Sequence, residues 1–149
     1  MTRLRILGIG SPSGDDQAGW WVIDALEDMG FSNRHGIELD RLDRPGAVLV
    51  SRLEHAAWVV LVDAMASGAI PGTIRHFDRT DWRGYDGGLS SHGLGVFAAL
   101  ELAEAMGSLP PRLDLYGIEI GAAGHSSGIT PAVREAARAL AIRLAGPIR

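Results

Sequence analysis

The 149-residue chain has no cysteine and no lysine. Without thiols it can form no disulfide framework, no thiolate zinc or iron-sulfur site and no cysteine nucleophile. Every basic residue is an arginine, which also removes a Walker-type phosphate lysine, a Schiff-base lysine and a Ser-Lys dyad. Positive charge is in short supply as well: 14 basic against 18 acidic residues leave a net charge of −4. A nucleic-acid binder needs a basic face that neutralises phosphates, so DNA and RNA are not expected partners. Long apolar runs are missing too. The longest, Ala56 to Val62, stops at Asp63, far below the roughly 20 residues that span a bilayer, and no membrane insertion is expected. Arg3 and Arg5 lead only into Ile6 to Gly10 before a Ser/Pro/Gly/Asp loop. The apolar stretch and cleavage site of a signal peptide are absent there, and the expected location is the cytoplasm.

Apolar residues are plentiful, at 46% of the chain with charged residues at 21%. That balance excludes an intrinsically disordered chain, and the length suits one domain over residues 1–149. Leu4 to Ile9 is a short apolar run closed by Gly10-Ser11-Pro12, the pattern of a buried strand and a turn. Helical spacing of Ala18, Val22, Ala25, Leu26 and Met29 predicts a helix over Gln17 to Met29, with Asp15 and Asp16 at the capping position and Gly30 closing it. Ile37 to Leu42 alternates as a half-buried strand, and a short helix is expected from Pro45 through Leu53. Ala57 to Val62 reads as a central parallel strand covered on both faces.

Only about ten residues separate that run from Thr73 to Phe77, too few for a parallel crossover with its helix. The next strand is therefore expected to be antiparallel and at an edge. After a polar, Gly-rich loop through Ser90, Leu94 to Met106 has helical periodicity, Pro110-Pro111 ends it, and Arg112 to Ile118 alternates as a strand. Thr130-Pro131 starts a last helix whose stripe is Val133, Ala137, Leu140, Ala141 and Leu144. The order predicts a three-layer α/β/α sandwich with a mostly parallel five-stranded sheet and one antiparallel edge strand.

In such sheets ligands bind beyond the carboxyl ends of the strands, and three loops there carry chemistry. The first is Gly8-Ile9-Gly10-Ser11-Pro12-Ser13-Gly14-Asp15-Asp16. It stands where a nucleotide-binding glycine loop would lie, but its third glycine comes one place late, and two aspartates oppose a pyrophosphate at that point. The alternative for this pair is helix capping by one and solvation of the other. The second loop begins at Asp63, which faces the crevice or bonds the turn Ala64-Met65-Ala66-Ser67-Gly68. The third, Ser90-Ser91-His92-Gly93-Leu94-Gly95, brings a histidine into the first turn of a helix, where the positive end of the dipole favours neutral imidazole. Asp16, Asp63 and His92 make an oxygen/nitrogen set suited to a divalent transition metal with positions left open. Sequence neighbours on a loop rarely have triad geometry, so Ser90 and Ser91 beside His92 are not expected to be nucleophiles.

The ordered segments Leu7-Gly8-Ile9-Gly10 with Asp15-Asp16, Leu61-Val62-Asp63-Ala64, Pro71-Gly72-Thr73, Ser91-His92-Gly93-Leu94 and Gly117-Ile118-Glu119 run almost end to end. With them the sequence resembles the nickel-iron hydrogenase maturation proteases, endopeptidases that remove the C-terminal extension of the hydrogenase large subunit after nickel insertion. The resemblance implies that Asp16, Asp63 and His92 contact the nickel of the immature substrate and serve catalysis. It implies a large-subunit precursor as partner and nickel carried in by that precursor, with no tightly bound cofactor. Asp43, in Leu42-Asp43-Arg44-Pro45-Gly46, resembles a further aspartate of the family, and Asp15 is a second accessory candidate. Gly93 and Gly95 are expected to let the Ser91 to Leu94 loop pass close to the substrate tail or to the third strand, the alternative being turn geometry alone. The sequence departs from the family pattern at Ser11, where the family has asparagine, in a shorter first loop, and at Arg44-Pro45-Gly46. Peptidyl-tRNA hydrolases share the glycine opening but need that asparagine and a basic groove. A noncatalytic nickel-sensing or metallo-chaperone module would use the same three ligands.

Overall fold

The structure, a computed structural model, describes residues 2–84, 95–120 and 128–148. Five strands form one sheet: β1 (Thr2–Gly10), β2 (Ile37–Asp43), β3 (Ala56–Met65), β4 (Ile74–Asp78) and β5 (Arg112–Glu119), in the spatial order β2-β1-β3-β5-β4. The first four of that order run parallel, and β4 pairs antiparallel with β5 at the edge. This is the predicted mostly parallel sheet, with the short spacing between Val62 and Thr73 matched by an antiparallel edge strand.

Alternation along the central strands divides the core in two. Leu4, Ile6, Val60, Val62 and Ile118 pack beneath α1 (Ala18–Asp28) and α4 (Pro131–Ile148), where Val22, Leu26, Val133, Ala137, Leu140 and Leu144 are buried. Leu7, Ile9, Val59, Leu61, Leu113 and Leu115 pack on the opposite face beneath α2 (Val48–Arg52) and α3 (Val96–Ala105). Each such side chain taken fully out of water contributes roughly 1.5–3 kcal/mol, and the strands read as continuous apolar runs because both faces are covered.

Several element ends differ from their expected places. Helix α2 begins at Val48 instead of Pro45, because Pro45, Gly46 and Ala47 form turns whose carbonyls accept from Val48, Leu49 and Val50. Helix α3 runs from Val96, and β3 continues past Val62 to Met65 because Asp63, Ala64 and Met65 keep pairing with Gly117, Ile118 and Glu119. The chain turns after α1 at Gly30, whose φ of 87° is the left-handed conformation that glycine adopts without strain.

Arg5, buried toward the amino end of the sheet, is paired. Arg5 donates to Glu38 Oε2 at 2.9 Å and to the carbonyls of Arg52 and Glu54 at 2.7 and 2.6 Å. The Arg5 bond, with one from Thr2, holds the Glu38 carboxyl below its ordinary value. After β4, Asp78 accepts from Thr80 Oγ1 at 2.7 Å and from the amides of Thr80 and Asp81 at 2.8 and 2.9 Å. The Thr80 hydroxyl bond, then these amides, lower the Asp78 pKa from 3.8 to about 2. A depressed carboxyl stabilises the fold above its unfolded value and loses that contribution as pH falls through the folded one. The turn should therefore stay intact to near pH 2, and NMR titration of the Asp78 carboxyl should give a midpoint near 2; a midpoint near 3.8 would refute the capping role.

Candidate active site

The carboxyl ends of β1, β2 and β3 lie at one edge of the sheet, in register at Gly10 with Asp43 and at Gly8 with Val62. Glycine lets α1 start directly on that edge. A Cβ on Gly19 would lie 2.3 Å from Ile9 O and 2.6 Å from Val62 O, and one on Gly8 would lie 2.3 Å from Gly19 O. The helix backbone thus rests across β1 and β3, and the turn preceding it is held over their ends.

That turn, a 3-10 turn over Gly14–Gln17, contains Asp15 and Asp16. Neither caps α1: its cap position is Gln17 and makes no side-chain capping bond. The expectation that one aspartate caps and the other is solvated is therefore corrected, because the chain inserts a tight turn before the helix and buries both, at 0% and 6% exposure. Asp16 is fixed through its backbone, its amide donating to Ser13 O at 3.0 Å and its carbonyl accepting from Ser11 N at 3.2 Å. Its Oδ2 accepts from the Ser11 hydroxyl at 3.5 Å, so the residue that departs from the family pattern still contacts the acid. Asp15 Oδ1 instead accepts from Thr130 N at 2.7 Å. Two buried carboxylates thus occupy the point where a nucleotide loop would present its N–H groups to phosphates.

Asp63 is expected at the start of a loop; it is found within β3, opposite Gly117 of β5, and completely buried. The strand is longer than the apolar run because Ala64 and Met65 continue the ladder with β5. Alternation puts the Asp63 side chain on the face shared with Leu61 and Met65, which is the α3 side. Its Oδ1 accepts from Ala64 N at 2.8 Å, the local bond expected of an aspartate leaving a strand. The turn bearing Asp16 packs on both β1 and β3, so the fold brings Asp16 and Asp63 to the same edge. Asp43 ends β2 at this edge too, half exposed and paired with Arg44, whose Nε lies 2.7 Å from Asp43 Oδ1. His92 and Gly93 lie outside the described residues. Gly95 precedes α3 at its cap position. Among the described residues no three His, Asp or Glu side chains group as metal ligands, so the expected set depends on the segment that carries His92.

Two buried carboxylates have roles that the sequence does not single out. Glu119, completely buried at the end of β5, accepts from Ser67 N at 3.1 Å through each oxygen and also from the Ser67 hydroxyl. It ties the loop after β3 to β5 one residue pair beyond Ala64–Ile118. Asp114 receives Trp58 Nε1 at 2.8 Å and meets His76 Nε2 at 2.7 Å, with His76 stacked on Tyr116 at 4.6 Å. This cluster lies toward the amino end of β5, away from Asp63. Burial, with Asp114 nearby, pushes the Tyr116 hydroxyl above its ordinary value, while Arg143 opposes the shift.

A five-stranded α/β/α domain with paired buried acids at the carboxyl edge of its sheet is the class of protein that the geometry defines. A family model described as hydrogenase maturation protease matches residues 45–145, and the chain belongs to that family. The matched stretch includes Asp63 and His92 and begins after Asp16 and Asp43. None of the curated proteins matches the chain. Among solved structures it is similar to the hydrogenase maturating endopeptidase HybD from E. coli, with a TM-score of 0.75 at 24% identity over 97% of this chain and 94% of that one. It is also similar to the [NiFe] hydrogenase maturation protease HycI from Thermococcus kodakarensis, at 0.74 and 24% over 97% and 90%. The HybD protease of the same organism aligns at 0.71 and 19%, over 98% of both chains. These likenesses bear out the predicted fold. No helix among the described residues is long and apolar enough to cross a membrane.

Proposed function

We propose that the chain is an endopeptidase that removes the C-terminal extension of a nickel-iron hydrogenase large subunit once nickel has been inserted. The observation that carries this reading is the placement of Asp16 and Asp63, both buried, at the ends of two adjacent strands bridged by the start of α1. Two carboxylates held at one end of the sheet offer hard oxygen donors that a divalent metal ion arriving in the substrate can meet. His92 completes the set from the segment before α3. Two carboxylates and an imidazole leave positions open for the substrate's own ligands, which suits a site that reads a metal already held elsewhere.

Hydrolysis adds water across the scissile amide: the water oxygen bonds to the acyl carbon, the C–N bond breaks, and the departing nitrogen takes a proton. Asp16 or Asp63 serves as the base that accepts the water proton, and the substrate's nickel polarises the carbonyl or the water. The nickel then acts as a checkpoint, since the tail comes within reach only when the metal docks.

The purified protein should accordingly contain little metal, leave apo precursor uncut, and shorten nickel-loaded precursor without added free metal. Elemental analysis paired with mass spectrometry of both precursor forms checks this. Stoichiometric enzyme-bound zinc with cleavage of the apo precursor would sink the checkpoint. Binding of the loaded precursor without any loss of mass would replace the protease with a metallo-chaperone.

A further inference from the structure

Asp15 and Asp16 are neighbours in sequence, yet the structure gives them different partners. In a 3-10 turn successive side chains project about 120° apart, so the two carboxylates leave the turn in different directions. Asp16 faces Ser11 at the end of β1, while Asp15, with no exposed surface, reaches across 115 positions of sequence to Thr130 N at 2.7 Å. Thr130 is the residue from which α4 springs: its carbonyl accepts from Val133 N and Arg134 N, both at 3.1 Å. A carboxylate there also meets the positive end of the helix dipole. The loop after β3 comes to the same place, for a Cβ on Gly72 would lie 2.9 Å from Ala132 O. The first turn of α4 is therefore where the connections that follow β1 and β3, the two strands bearing the candidate acids, are joined. Among the described residues nothing hydrogen-bonds Asp15 Oδ2, which leaves the Thr130 bond as the tether.

We infer that Asp15 is a positioning residue for cleavage: it is a strap between the turn carrying Asp16 and the start of α4, and it does not touch the substrate's metal. The inference rests on the proposed cleavage reaction and gives Asp15 a role distinct from that of Asp16. Asparagine at position 15 keeps an oxygen able to accept the Thr130 N–H, whereas alanine removes it.

The test uses the full chain and nickel-loaded precursor. Asp15→Ala should lower kcat at least tenfold with KM within twofold, and Asp15→Asn should restore most of the lost kcat. Amide hydrogen exchange of the protein alone should show protection of Thr130 lost in Asp15→Ala and kept in Asp15→Asn. Wild-type kcat in Asp15→Ala overturns the inference. So does an Asp15→Asn that keeps Thr130 protection yet cleaves as poorly as Asp15→Ala, because the charge itself would then be what cleavage needs. Should wild-type protein fail to cut the loaded precursor, the cleavage reading falls; unchanged Thr130 exchange in Asp15→Ala would refute the strap independently of it.

Discussion

Asp16→Ala, Asp63→Asn and His92→Ala should each abolish processing of a nickel-loaded large-subunit precursor while leaving the melting temperature within a few degrees of wild type. The stability side follows from what each residue contributes to the fold. Asp16 is held by its backbone bonds to Ser11 and Ser13, which survive loss of the side chain, and the Ser11 hydroxyl reaches its Oδ2 only at 3.5 Å. Asparagine at 63 keeps an oxygen for the bond from Ala64 N. A lost or weakened hydrogen bond of this kind costs about 1 kcal/mol, which is about 3 °C for a chain of this length. Asparagine is chosen at 63 because an alanine there would leave a void in a strand buried on both faces.

The activity side follows from charge. Removing either carboxylate takes away a ligand for the docking metal and a candidate base. Precursor mass measured over time, with a thermal melt of each variant, checks both halves. Near-normal processing by all three would show the site assignment to be wrong, and loss of cooperative melting would make the acids structural.

Layering and strand direction were legible because they depend on short-range pattern. Ala57 to Val62 is apolar at every position and Leu4 to Ile9 at all but Arg5, the pattern of strands covered on both faces, and the short spacing before Thr73 forbids a parallel crossover. What escaped the sequence is what pairing across the chain decides. Asp63 interrupts the apolar run and so looks like the end of β3, yet β5 continues the ladder to Met65 and draws the acid inside. Asp15 has the local look of a helix cap, and its partner Thr130 lies 115 positions away. Glu119 was visible only as part of a motif, since nothing local tells that Ser67 will donate to it. The candidate acids were found because strand ends are predictable; their burial and their tethers were not.

Gly19→Ala should be the most damaging single methyl that can be added to this protein's edge. Its Cβ would lie 2.3 Å from Ile9 O, 2.6 Å from Val62 O and 2.9 Å from Ile9 N. These are backbone atoms of the two central strands, so no side-chain rotation can relieve the contact; α1 must lift from the sheet. Lifting it also separates Val22 and Leu26 from Leu4 and Ile6 in the core beneath. Overpacking ordinarily costs 1–3 kcal/mol, and a rigid contact on this scale should cost about 3 kcal/mol or more, lowering the melting temperature by roughly 10 °C. Gly146→Ala is the control. It lies within α4 with nothing but its chain neighbours within 4 Å of its added Cβ, and the usual gain of about 0.5–1 kcal/mol from replacing a helical glycine by alanine is offset by crowding against Pro147, so stability should change little. The same methyl thus has very different effects at the two positions. Because α1 leads directly from the turn that carries Asp16, Gly19→Ala should also depress processing at temperatures where the variant is still fully folded. Thermal melts of both variants, with processing measured well below each transition, decide the matter: a Gly19→Ala protein that melts and cleaves like wild type would show that the helix does not rest on the strand ends, and the placement of Asp16 would lose its support.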